Sequence, residues 1–262
     1  MDKKYNCLLF FCLCFPLVAY SLPIDSGLLA YYDFNSGIVD VSGNNCSTTL
    51  NGGISTSANS GYGGSDGLSF DGLNDYVYVS GVPLNTANGA SNTVSFWMKW
   101  AGQSKPNGDM PIGFSMHDLW LNSGSFGFNT GQGDITGISD TGLANNWVYV
   151  TSVFNNSAPS AGHHKLYING VLQNISQRQG SAPTYSTAPN YFYMGTWNIG
   201  QSWIYKGMLD EVAVYNRELD ASEITQLYNF YTVVPEPSSA ILFSFIFGIF
   251  FKVVSYNSSH KK

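Results

Sequence analysis

Charge is scarce in this sequence: Asp, Glu, Lys and Arg make up 11% of 262 residues, against roughly 25% in an average soluble domain. No stretch of the body clusters Lys and Arg, and the formal net charge is −6. A phosphate backbone therefore finds no basic footprint, which excludes nucleic acid as a partner. Glutamate is rarer still, occurring only as Glu211, Glu218, Glu223 and Glu236. Three of the four cysteines, Cys7, Cys12 and Cys14, sit in the first apolar run. The fourth, Cys46, has no partner left for an internal disulfide and reads as a small packing residue. Helical periodicity is nearly missing as well. What is plentiful is aromatic side chains, at 15%, and glycine, with 28 copies. That mixture suits strands and turns.

The opening residues, MDKKYNCLLFFCLCFPLVAYS, have the layout of a secretory signal peptide. Lys3 and Lys4 supply the basic start, Cys7 to Val18 the apolar core, and Ala19-Tyr20-Ser21 a small-x-small cleavage site. Residues 1–21 are expected to be removed and the mature chain to begin near Leu22. The apolar run is short for a retained membrane helix.

From Gly27 to Tyr231, short runs of alternating apolar and polar residues are separated by Gly, Asn, Ser and Asp, the pattern of an antiparallel sheet protein. The clearest runs are LLAYYDF, YVYVS, TVSFWMKW, NWVYVTSVF, HKLYINGVLQ, YFYMG and LDEVAVY. Asn169-Gly170 lies between two β-prone segments and predicts a type I′ hairpin turn. In YVYVS, Tyr76 and Tyr78 fall on one face and Val77 and Val79 on the other, and either face can be core. One helix is predicted, in DASEITQLYNFY, with Asp220 or Ser222 as cap and Ile224, Leu227 and Tyr228 on a shared face.

In order along the chain, GLLAYYDFNSG, DVSGNN, GLSFDGLNDYVYV, TVSFWMKW, NNWVYVTSVF, HKLYINGVLQ and GMLDEVAVYNRELDASEITQLYN resemble the LamG-like group of concanavalin A-like lectin/glucanase domains. The resemblance runs from about Gly27 to Asn229. It implies an all-β fold, a jelly-roll sandwich of two antiparallel sheets with one short C-terminal helix. It assigns residues 22–232 to that domain and makes Trp97 and Trp147 packing residues.

Domains resembling this one include glycoside hydrolases, which work with two carboxylates. The Glu-x-Asp-x-x-Glu motif of catalytic members is absent, and Asp109, Asp118 and Asp134 show no favoured pairing, so no catalytic residue is assigned. His117, His163 and His164 occur in turn-like contexts without a Gly-x-Ser-x-Gly elbow, which argues against a Ser/His/Asp triad. The adjacent pair His163-His164 points to opposite faces if extended and so rarely reaches one metal. Calcium is more plausible, because related sandwiches hold one where the first strands meet the last. The matching carboxylate is Asp210, with Asp33, Asp40 and Asn44 to complete the set; otherwise Asp40 and Asn44 only cap a turn. For a sugar ligand, the candidates are Trp120 with His117 and Asp118, and Trp197 with Trp203.

After Tyr231 the composition shifts. Val234-Pro235-Glu236-Pro237-Ser238 cannot extend a sheet and forms a stiff linker, residues 233–239. The oily run is too short by itself, but the reach from Ser238 through Tyr256, with Lys252 snorkelling, just crosses a bilayer, which places a membrane helix at 240–256, and 257–262 form a basic tail expected on the cytoplasmic side. Pro235, Glu236 and Pro237, then a hydrophobic segment, then lysines, resemble a PEP-CTERM sorting signal. That resemblance implies recognition by an exosortase-type processing enzyme; the alternative is an ordinary C-terminal membrane anchor. The expectation is an exported, cell-surface or matrix protein whose LamG-like domain binds a glycan or a surface protein without catalysis. A polysaccharide hydrolase or lyase, or a purely structural matrix protein, are the other readings.

Overall fold

The computed structural model describes residues 22–233 except 104, 160–161, 182–186 and 200–202. The signal peptide, the Pro-Glu-Pro linker and the expected membrane segment lie outside the described residues. Among the described residues no helix is long and apolar enough to cross a membrane.

The amino-terminal strands are β1 (Leu28–Tyr32), β2 (Ser47–Asn51), β3 (Ser55–Ser57), β4 (Gly67–Asp71) and β5 (Tyr76–Ser80), with a 3-10 turn at Tyr62–Gly64. The middle of the chain gives β6 (Ser91–Trp100), β7 (Asp109–Gly113), β8 (Asp118–Asn122), β9 (Ser125–Asn129), β10 (Ile135–Ser139) and β11 (Trp147–Asn155). The remainder gives β12 (Lys165–Ile168), β13 (Val171–Leu172), β14 (Ser176–Gln179), β15 (Tyr191–Met194), β16 (Lys206–Tyr215) and the helix α1 (Ala221–Val233). They form two antiparallel eight-stranded sheets. The first runs β13-β12-β11-β6-β16-β4-β3, with β1 also paired to β16; the second runs β14-β10-β9-β8-β7-β15-β5-β2. This is the expected two-sheet sandwich, and every run singled out in the sequence falls on a strand.

The sheets bury one core between them. Phe96, Met98 and Trp100 of β6 meet Leu119 and Leu121 of β8, Phe126 and Phe128 of β9, and Val77 and Val79 of β5. The two-residue period thus puts Val77 and Val79 inside and turns Tyr76 and Tyr78 outward. Asn169 and Gly170 both have positive φ, +52° and +76°, and join Ile168 to its partner Val171 as the predicted hairpin.

The first sheet is buried on its outer face too. Ile224 and Leu227 of α1 press onto Trp97, Tyr149, Ala213 and Tyr215, and Leu22 and Ile24 join them. Burial on both faces explains why β6, β11 and β16 read as continuous rather than alternating apolar runs. Asp220 caps the helix, accepting from the backbone N–H of Ser222 (2.8 Å) and Glu223 (2.9 Å), while Glu223 reaches back to the N–H of Asp220 (3.0 Å). These reciprocal bonds form a capping box. Arg217 grips Glu223 through two hydrogen bonds of 2.7 and 2.8 Å and donates to the Ser26 carbonyl, so the turn after β16 sets the helix against the amino terminus. Cys46 is free and buried, donating to the Leu29 carbonyl at 3.4 Å; burial and then the Asp40 charge push its thiol up to about 11.

Candidate functional site: a tryptophan hollow on the second sheet

Among the described residues no helix covers the outer face of the second sheet, and three of the sequence-named tryptophans meet there. Trp120 is on β8, where alternation sends Leu119 and Leu121 inward and Trp120 outward. Its indole N–H donates to the Asn107 carbonyl at 2.8 Å, which fixes the ring. The chain after β15 folds back along β7: the Met110 N–H donates to the Trp203 carbonyl (3.1 Å) and the Gly195 N–H to the Pro111 carbonyl (2.8 Å). At Gly113 a Cβ would lie 2.4 Å from both the Thr196 carbonyl oxygen and the Trp197 Cα, so this close approach requires glycine. The rings of Trp197 and Trp203 stand nearly perpendicular, at 72° with centroids 5.6 Å apart.

Between these rings lies a hollow of about 110 Å³, walled by Trp120, Trp197, Trp203 and Met110, with Asn129, Gly131 and Gly133 on its polar side. The polar side is a turn tied by Asp134. Its carboxylate accepts from the Thr130 N–H (3.1 Å), the Thr130 hydroxyl (3.0 Å) and the Gln132 N–H (3.2 Å). The Asn129 amide donates to the Asp134 carbonyl, and its oxygen accepts from the Gly131 N–H. Met110 and the turn were not flagged by the sequence, apart from Asp134, which was weighed only as a catalytic carboxylate. The Asn-Thr-Gly-Gln-Gly-Asp spacing signals an Asx-type turn, but nothing local says that it faces Trp120.

Asp118 pairs with Asn129 across β8 and β9, on the same face as Trp120. It is fully buried, and neither carboxyl oxygen has a hydrogen-bond partner among the described residues. Burial raises its carboxyl well above the usual range and the Asp134 charge adds to this. The N–H groups of Phe114 and Ser115 lie near enough to relieve part of the cost, without hydrogen-bond geometry. His117, its sequence neighbour, is not in the wall of the hollow. Its ring stacks on Phe154 at 5.3 Å and meets His164 at 3.5 Å, and burial lowers the His164 imidazole to about 3. His163 is exposed and His164 buried, so the pair does diverge. Asp109 lies elsewhere, accepting from the buried Trp100 indole at 3.0 Å.

The candidate calcium ligands fall into two groups. Asp210 is buried at a bulge where three steps on β16 oppose two on β6, with Glu211 at φ +54°. The Asp210 carboxylate accepts from the Tyr62 N–H (2.9 Å), the Ser65 hydroxyl (2.7 Å) and the Glu211 N–H (2.9 Å). Burial, with the Asp33 charge adding to it, pushes its carboxyl up to about 7 despite those bonds. Glu211 instead accepts from the Tyr31 hydroxyl. Asp40 and Asn44 belong to a separate loop. Burial alone would raise Asp40, but N–H bonds from Cys46 and Tyr31, with Ser42, outweigh it and hold the carboxyl low. Asn44 aims its amide N–H groups at the carbonyls of Leu28 and Leu29, both at 3.0 Å, which is a turn staple and not a ligand arrangement. Among the described residues no three His, Cys, Asp or Glu side chains converge on one metal position.

Several solved structures share this architecture. Domain 4 of AbnA, an extracellular GH43 arabinanase from Geobacillus stearothermophilus solved with arabinotriose, aligns with 78% of this chain and 98% of its own, at 21% identity and a TM-score of 0.52. The ligand-binding domain of botulinum neurotoxin serotype D, solved with N-acetylneuraminic acid, aligns at 20% identity and a TM-score of 0.55 over 79% of this chain and 51% of its own. The binding domain of Paraclostridial mosquitocidal protein 1 aligns at 17% identity and a TM-score of 0.53 over 78% and 52%. The chain thus spans about half the length of the two toxin domains. No curated protein sequence gives a significant match. Residues 70–225, more than half of the sequence, match the family described as the concanavalin A-like lectin/glucanases superfamily, and the chain belongs to that family.

Proposed function

We propose that this is an exported, non-catalytic glycan-binding domain whose site is the hollow between Trp120, Trp197 and Trp203. The observation that carries the reading is the convergence of three indoles, one from β8 and two from the stretch after β15, on a sheet face that no described helix covers, beside a turn that offers amide and backbone groups. Aromatic faces stack on sugar rings while a few placed polar groups take the hydroxyls. Arabinotriose in the arabinanase domain and N-acetylneuraminic acid in the toxin domain support a sugar as the ligand class. Engagement of Asp109 by Trp100 and complete burial of Asp118 support binding without hydrolysis. Retention on immobilised oligosaccharides tests this reading: Trp203→Ala should abolish retention with the melting temperature nearly unchanged. Undiminished retention would place the site elsewhere.

Two further readings belong to the same proposal. Asp33 and Asp210 suit a structural calcium, since a buried carboxylate under a second negative charge gains from a hard cation; Asp40 and Asn44 are not part of that set. EDTA should lower the melting temperature and Asp210→Ala should reproduce the loss; no change in either removes the ion. Pro235, Glu236 and Pro237 are read as the sorting signal for an exosortase-type enzyme, which keeps the domain at the membrane until the tail is processed. Intact-mass analysis from the native host decides this: a chain from near Leu22 to the Pro-Glu-Pro segment supports processing, and retention of Lys262 supports a plain anchor.

A further inference from the structure

The outer face of the first sheet carries two lysines beyond the residues that α1 covers. Lys99 on β6 stands opposite Met208 on β16, and Met208 stands opposite Ser69 on β4, so the three form one row on that face. Lys206, two residues before Met208, points to the same side and is the diagonal neighbour of Lys99. Diagonal positions lie roughly 7–8 Å apart, within reach of long side chains. The two lysines, with Ser69 and Asn145, wall a hollow of about 190 Å³ over the row centred on Gly207, and no carboxylate lines it. Lys165 is paired with Glu218 and Arg217 with Glu223, whereas Lys99 and Lys206 make no ion pair among the described residues. Asp71, opposite Lys206 on β4, accepts from the Leu73 N–H at 2.7 Å instead. The Lys206 stem rests on the turn at Gly72, where a Cβ would lie 2.9 Å from the Lys206 Cβ, and this contact holds the side chain at the hollow.

From this pairing of Lys99 with Lys206, we infer that the hollow is an oxyanion site that takes one carboxylate or sulfate group of an acidic sugar. Two ammonium groups side by side repel, and an oxyanion between them replaces the repulsion with two charge-assisted hydrogen bonds. The Ser69 hydroxyl and the Asn145 amide add neutral donors at the same rim. A volume of about 190 Å³ is below the roughly 300 Å³ at which pockets for drug-sized ligands begin, so one charged group enters and the rest of the ligand stays outside. The net charge of −6 opposes an acidic ligand only weakly, because charges beyond about 8 Å are largely screened at physiological salt. The site is on the other sheet from the tryptophan hollow and does not depend on it.

Titration with glucose, glucuronate and glucose 6-sulfate at fixed ionic strength, followed by backbone amide signals in nuclear magnetic resonance, tests this, since the three probes differ only at C6. At least one of the two acids should shift the Lys99, Ser69 and Met208 amides saturably and bind about tenfold more tightly than glucose. Which acid does so distinguishes carboxylate from sulfate. The double variant Lys99→Met, Lys206→Met should lose that preference with an unchanged melting temperature, as expected of surface positions, whereas Trp203→Ala should keep it. Acids that bind no better than glucose overturn the inference and leave the tryptophan hollow standing. A preference that survives in the double variant and disappears in Trp203→Ala also overturns it, by placing the acid in the tryptophan hollow.

Discussion

The outer faces of the two sheets are alike in chemistry and opposite in use. On the first, Trp97 stacks on Tyr62 at 3.4 Å and 6°, Tyr149 and Tyr228 lean on it, and α1 closes over the set. On the second, Tyr76, Tyr78, Tyr191 and Tyr193 form a cross-strand row and the three indoles form a hollow, with no helix above among the described residues. Aromatic content therefore does not by itself mark a site in this protein. The first face packs its rings under a helix; on the second, Trp120, Tyr76 and Tyr193 are buried among their neighbours while Tyr78, Tyr191, Trp197 and Trp203 remain partly exposed.

Substitutions on the two faces should diverge accordingly, most strongly at the covered one. Trp97→Ala empties a fully packed position and should cost about 3–5 kcal/mol, read by denaturant unfolding, whereas Trp203→Ala should stay within about 1 kcal/mol. An equal loss at both would erase the contrast. Gly113→Ala pushes a methyl into the Trp197 backbone and should cost about 1–3 kcal/mol while abolishing ligand binding, because the wall of the hollow moves with it.

Asp118→Asn should move stability the other way, by about 1–3 kcal/mol at neutral pH, since it removes a buried carboxyl without partners. The sign follows from its raised pKa. The folded state keeps a proton that the unfolded chain releases, so the contribution is full below about pH 4 and is lost as pH rises above that. The variant should flatten this slope in melting temperature against pH; an unchanged slope would mean that Asp118 is paired. The smallest effect belongs to the cap of α1: Asp220→Ala should cost about 1 kcal/mol, and loss of near-ultraviolet dichroism from Trp97 should accompany it only on full unfolding.

How much of this was legible in the sequence depends on how local each feature is. The Asn169-Gly170 hairpin, the helix cap at Asp220, one of the two caps expected, and the strands around Tyr76 and Trp97 are written in neighbouring residues and came out as expected. The choice between the faces of YVYVS was not, because it depends on which sheet lies opposite. The hollow needs Trp120, Met110, Trp197 and the 129–134 turn, which approach only through the β7–β8 pairing and the fold-back at Gly113. Likewise His117 and Trp120 lie three residues apart in sequence but in different environments, one against Phe154 and the other in the hollow.

The six tryptophans, Trp97, Trp100, Trp120, Trp147, Trp197 and Trp203, each give one indole N–H signal by nuclear magnetic resonance. Titration with a binding oligosaccharide should shift the signals of Trp120, Trp197 and Trp203 and leave those of Trp97 and Trp100 in place. Shifts confined to Trp97, Trp100 or Trp147 would contradict the placement of the site on the second sheet.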